Sequence, residues 1–199
     1  MIPIYVATED TLSEAVADRL VAENNGNLEV SVRLGRKGNG HLRKKLPELI
    51  QLSKNIPVLL LTDLDHINCA PTLINAWNGR LTFPEGMLFR VAVREVEAWL
   101  LADSDAFSSF SGVPVNKLPV EPEGLIDPKK SLLNLVKKYG RAAVKRELLS
   151  EVYPEVAVGL GYNDRLSEFV RELWRPDIAS QRSDSLKRAR SRLLALWSK

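Results

Sequence analysis

The spacing of apolar residues changes period several times along the chain, and each change predicts a new element. Pro3 to Glu9 (PIYVATE) is a short apolar, β-prone run, and from Thr11 the apolar positions Leu12, Val16, Leu20 and Val21 recur at helical spacing. Asn27 to Gly35 alternates Leu28, Val30, Val32 and Leu34 against polar neighbours, the pattern of a half-buried strand closed by glycine. Gly40 to Lys54 is amphipathic at helical period, with Pro47 expected to kink or split it. Ile56 to Asp63 (IPVLLLTD) is almost continuously apolar, as in a central strand covered on both faces. A short helix over Pro71–Gly79, a strand over Met87–Glu95 and a helix over Val96–Phe110 complete a βαβαβαβα unit.

That alternation predicts an α/β fold with a mainly parallel sheet and helices on both faces. The stretch Gly112–Lys130 is rich in Pro and Gly, and four amphipathic segments follow it: Lys129–Gly140, Arg141–Tyr153, Arg165–Trp174 and Ser185–Trp197. The expected division is an α/β domain over 1–112 and a helical extension over 113–199 packed on it.

Composition narrows the class. The chain has 199 residues, 45% hydrophobic and 27% charged, which is enough for a real core and argues against disorder. One cysteine, Cys69, excludes an intramolecular disulfide, and no charged-then-apolar leader or long apolar span is visible, so the expectation is a cytoplasmic protein without a membrane segment. The net charge of +3 is unevenly distributed: residues 1–124 carry 12 basic and 16 acidic side chains, and the remainder carries 16 and 9. An acidic first part joined to a basic second part suits a polyanion held near a metal; a solvated basic helical surface is the plainer alternative.

The candidate chemistry lies at the ends of the predicted strands. Glu9 and Asp10 end the first, Asp63 and Asp65 the third, and Glu95 and Glu97 the fourth. In parallel sheets, ligands bind beyond the carboxyl ends of the strands. If the third strand persists past Asp63, period-two geometry points Asp63 and Asp65 the same way, and their repulsion calls for a cation. Hard carboxylate oxygens suit Mg²⁺ or Mn²⁺; two histidines (His41, His66) and one cysteine give no zinc spacing. The plainer reading of D-x-D after a strand is a helix cap or a turn residue. Glu95 could equally be a solvated strand end and Glu97 a stabilising acid in a first helical turn.

With these residues in place, the chain resembles the TOPRIM domain of topoisomerases, primases and OLD-type nucleases: an acid after strand one (Glu9), a D-x-D after a middle strand (Asp63, Asp65), and βα alternation around them. TDLDH, REVEAWLLAD, DPKKSLL and RSDSLKRARSRL are similar to segments of a TOPRIM-like bacterial family of unknown function, distantly related to RloB and associated with phage-defence operons beside an ATPase. Where many such proteins carry Glu-Gly, this chain has Glu9-Asp10. The resemblance implies Mg²⁺- or Mn²⁺-dependent nuclease chemistry on DNA or RNA, with Glu9, Asp63 and Asp65 as metal ligands. Glu97, or else Glu95, would be a further ligand or a water-positioning base, and Lys129 or Lys130 a cation for the phosphate.

Glu97 is preferred over Glu95 because it begins a helix whose N-terminus favours carboxylate charge. Arg188 and Arg192 share a helical face with Lys187 beside them, a candidate nucleic-acid footprint or a solvated surface. The Gly-rich basic stretch Gly35–Lys45 lacks P-loop spacing and is expected to be a solvated turn; Trp77, Trp99, Trp174 and Trp197 are expected to pack on apolar helix faces. The alternative function is a binding or regulatory subunit that keeps the scaffold without chemistry.

Overall fold

The computed structural model describes residues 1–79, 81–150 and 158–196. Four strands, β1 (Ile2–Thr8), β2 (Leu28–Gly35), β3 (Val58–Asp63) and β4 (Met87–Ala92), form one all-parallel sheet in the order β2-β1-β3-β4. The order reverses between β1 and β3, so the switch point lies between the strands that deliver Glu9 and Asp63.

Helices α1 (Thr11–Ala22), α2 (Asn39–Leu52) and α3 (Ala70–Asn78) cross between the strands. The side chains of β3 explain why both faces must be covered: Leu59 and Leu61 join a core with α1 on one face, while Val58 and Leu60 join Leu42, Leu46 and Leu49 of α2 on the other. Pro47 sits within α2 without splitting it. It lies on the solvent side, where the Arg43 carbonyl that loses its N–H partner can be hydrated.

Two differences from expectation shape the site. The segment Val96–Phe110 is two helices, α4 (Val96–Ala102) and α5 (Ser104–Ser111), because the buried Asp103 carboxylate caps α5 by accepting from the Ala106 N–H at 3.2 Å and also accepts from Arg175, in the link after a later helix. The strand expected to reach Glu95 stops at Ala92; a cis peptide joins Val93 to Arg94, and Glu95 is the residue preceding α4.

The helical part comprises α6 (Pro128–Tyr139), α7 (Ala142–Leu148), α8 (Tyr162–Glu172), α9 (Pro176–Ala179) and α10 (Asp184–Ala195). Leu166, Phe169 and Val170 of α8 and Leu186, Ala189 and Leu193 of α10 belong to the same apolar cluster as α1 and α4, so the sheet and the later helices share one core. Trp99 and Trp174 are fully buried there and Trp77 packs against Phe89. Trp197 and the end of the segment Arg141–Tyr153 lie outside the described residues. Among the described residues no helix is long and apolar enough to cross a membrane.

Candidate functional site: a carboxylate crevice at the strand ends

β1 ends at a point where only glycine can neighbour it. Gly35 has φ 144°, and a Cβ there would stand 2.0 Å from the Thr8 carbonyl oxygen. This close approach lets the loop after β2 fasten itself to the first acid's backbone: Arg36 N–H donates to Thr8 O (2.9 Å) and Gly38 N–H to Glu9 O (3.0 Å). Glu9 then turns into the crevice, where its Oε1 accepts from the Thr62 hydroxyl and from Asp63 N–H at 3.1 Å. Asp10 does a different job: its Oδ1 accepts from Ser13 N–H at 2.8 Å and caps α1. The Asp in place of Gly is thereby explained as a helix start.

The D-x-D pair does not project as two successive strand positions. β3 ends at Asp63, and Asp65 has φ 51°, a left-handed turn. Asp63 Oδ1 accepts from Val96 N–H at 3.0 Å, at the start of α4, whereas Asp65 Oδ2 lies 3.4 Å from Asn39 Nδ2 at the start of α2. Arg94 holds the loop from below by donating to the Asp65 carbonyl at 3.1 Å.

Glu95 and Glu97 reach the same region from α4. Glu95 Oε2 accepts from Lys129 N–H (2.8 Å) in the first turn of α6. Glu97, 4% exposed, accepts a 2.7 Å hydrogen bond on Oε1 from the Tyr162 hydroxyl, and the Lys129 ammonium lies 4.8 Å from the centre of the Tyr162 ring. Thr62, Tyr162 and Asp127, which caps α6, are parts that sequence reasoning missed. Thr62 adjoins the D-x-D and Asp127 precedes a proline at a helix start, so both carried a local signal, whereas Tyr162 carried none.

The electrostatics are those of an acidic site in which the Lys129 charge only partly offsets Glu95 and Glu97. Loss of water raises the Asp63 carboxyl well above its ordinary value, and Glu97, Glu9, Asp10 and Asp65 push it further. Glu9 is raised mainly by desolvation, against the two hydrogen bonds it accepts. Glu95 is raised by desolvation, with Asp127 and Asp65 adding to it. Glu97 rises from 4.5 to about 7, chiefly through burial, although the Tyr162 hydrogen bond holds it down. Among the described residues no ion pair reaches Glu9, Asp63, Asp65, Glu95 or Glu97.

This donor set has the chemistry of a hard divalent cation's site. Also among the described residues, no three His, Cys, Asp or Glu side chains are already arranged to hold an ion between them. The two findings are compatible for Mg²⁺, which keeps several waters and takes one or two carboxylates directly.

Comparison with known families gives one match. The family described as "Domain of unknown function (DUF4276)" matches residues 5–164. The chain belongs to that family. The matched span of this DUF4276 chain holds every carboxylate of the crevice together with Lys129 and Tyr162, and ends before α10, where Lys187, Arg188 and Arg192 lie. No curated protein and no solved structure matches the chain.

The basic side chains of α10 sit apart from the crevice carboxylates' hydrogen-bond network. Arg188 pairs with Asp184 at 2.6 Å, Arg192 donates to the Glu85 carbonyl at 3.2 Å, and Lys187 is exposed. His66, Lys130 and Cys69 are likewise at the surface.

Proposed function

We propose that this protein is a divalent-cation-dependent phosphodiester hydrolase acting on nucleic acid. The observation that carries the reading is the set of carboxylates gathered around the β1/β3 switch point with no ion pair to any of them among the described residues. Burying like charges is costly unless a cation compensates, and a structural role would be met more cheaply by an arginine.

Glu9, Asp63 and Asp65 would hold Mg²⁺ or Mn²⁺, which when bound stabilises charge on the phosphoryl oxygens and acidifies a water. The chain's own groups supply the rest. Thr62 and the Asp63 N–H fix Glu9, and the Val96 N–H fixes Asp63, so both carboxylates are oriented before substrate arrives. Glu97, with a pKa near 7, is matched to accepting the proton of an attacking water at neutral pH, and Tyr162 orients it. Lys129, resting on the Tyr162 ring, can carry positive charge to the leaving oxygen. Water adds to phosphorus as its proton passes to Glu97, the P–O bond to the leaving alkoxide breaks, and the alkoxide takes a proton from solvent, which gives a phosphomonoester and a free hydroxyl.

The TOPRIM-like resemblance extends this proposal to an effector of phage defence working beside a partner ATPase. A second reading, a regulatory subunit that keeps the scaffold without chemistry, is favoured by the absence of a ready three-ligand arrangement among the described residues. The deciding experiment is a cleavage assay on single-stranded DNA, duplex DNA, RNA and tRNA with Mg²⁺ or Mn²⁺, with and without the product of the neighbouring gene. Cleavage abolished by Asp63→Ala plus Asp65→Ala supports the hydrolase. Cleavage unchanged by that pair rejects their catalytic role, and no cleavage of any substrate leaves the regulatory reading.

A further inference from the structure

Arg90 differs from the arginines that fasten the helical part to the rest of the fold. Arg190 is held by Glu23 through Nε and Nη2, both at 2.8 Å, and Arg175 is held by Asp103. Arg182 spends its donors on the carbonyls of Ala102, Pro119 and Val120. Arg90, in the middle of the edge strand β4, has a buried Nε with no hydrogen-bond partner, and among the described residues it makes no ion pair. Loss of water, with Arg192 close by, pushes its guanidinium below the usual arginine range. A buried donor without an acceptor is costly, and a guanidinium in that state is preorganised for an anion.

The surroundings are shaped to admit one. Along the outer edge of β4, between α3 and α10, runs a cleft of about 410 Å³ whose wall sets Arg90, Arg188 and Asn68 among apolar side chains that include Leu64, Ile74 and Phe89. An adjoining cleft of about 460 Å³ is bordered by Arg90, Lys187, Arg188 and Arg192. The two acids there are already engaged. Asp184 pairs with Arg188, and Glu123 accepts from the Ser183 and Ser185 hydroxyls and from the N–H groups of Asp184 and Ser185. Among the described residues that line the two clefts, four cations face two carboxylates. Leu64 lies between Asp63 and Asp65, so the first cleft begins at the back of the loop that forms the acidic crevice.

We propose that Arg90, with Lys187, Arg188 and Arg192, forms a phosphate-binding cleft that takes the nucleic-acid backbone flanking the scissile bond. The assignment rests on the nucleic-acid reading of the crevice and names the surface that positions the strand. Guanidinium forks suit phosphate oxygens, and a cleft leading away from the crevice suits a polymer rather than a single small anion.

The test is fluorescence anisotropy of labelled single-stranded and duplex oligonucleotides with the full chain, in EDTA, across a salt series. Arg90→Met is expected to weaken binding about tenfold and to lower the slope of log K against log salt by about one. Its melting temperature should equal or exceed that of the wild type, since an unpaired buried charge is removed, and Arg192→Gln should weaken binding in the same direction. Millimolar inorganic phosphate should compete. Equal binding by Arg90→Met and wild type, no oligonucleotide binding by the wild type, or binding of inorganic phosphate alone would each overturn the cleft. Failure here is separable from failure of the crevice. Mg²⁺-dependent cleavage whose KM is unmoved by Arg90→Met rejects only the cleft, and Arg90-dependent binding without cleavage under any metal rejects only the hydrolase.

Discussion

Asp103 and Asp63 are both carboxylates at the approaches to α4, and the protein handles them in opposite ways. Asp103, at its C-terminal end, is fully buried and saturated: Arg175 bonds it at 2.6 and 2.9 Å through its guanidinium and at 3.0 Å through its N–H, and Ala106 N–H adds a fourth bond. Asp63, at the N-terminal end, receives one backbone N–H and has four other carboxylates raising its pKa. The fold can supply an arginine where a buried acid serves structure, and it withholds one at the strand ends. That contrast is the ground for the proposed cation site.

The largest effect should come from removing the satisfied acid. Asp103→Ala should cost about 3 kcal/mol in urea unfolding, because it removes the α5 cap and the Arg175 pair together. Asp63→Asn, measured at pH 8 in EDTA, should leave stability unchanged or raised. Comparable losses in both variants would erase the contrast.

Next is the pH dependence. Glu97 is raised in the folded state from 4.5 to about 7, so below 4.5 both states are protonated and nothing is lost. As pH climbs from 4.5 to 7 the unfolded chain sheds a proton that the folded chain keeps, and stability falls by an amount on the order of 3 kcal/mol. Asp63, also raised, acts in the same direction. Unfolding at pH 5 and pH 8 without metal checks the sign, and Glu97→Gln should flatten the difference.

Mg²⁺ or Mn²⁺ should reverse that penalty. Saturating metal is expected to add about 2 to 3 kcal/mol at pH 8, less at pH 5.5, and nothing in Asp63→Asn. The smallest effect belongs to Tyr162→Phe, about 1 kcal/mol in stability, with the Glu97 titration moved upward because its hydrogen bond is gone.

The layout of the sheet was legible because its signal is local. The apolar run before Asp63 marks a strand covered on both faces, and alternation alone places Glu9 and Asp63 at the ends of β1 and β3, whereas Glu95 and Glu97 belong to the start of α4. What was hidden depends on contacts across long separations or on a single torsion. Tyr162 and Glu97 are 65 positions apart. The break between α4 and α5 comes from Asp103 finding Arg175, 72 positions away. Asp65 leaves the strand period because it turns left-handed. Nothing in the sequence singles out Arg90; its missing partner does.

The most direct measurement of the central claim is a Mn²⁺ titration followed by electron paramagnetic resonance at pH 8. The wild type should show saturable binding that Asp63→Asn and Asp65→Asn each weaken severely, with Mg²⁺ competing for the same site. Absence of saturable Mn²⁺ binding, or binding indifferent to both substitutions, would contradict it.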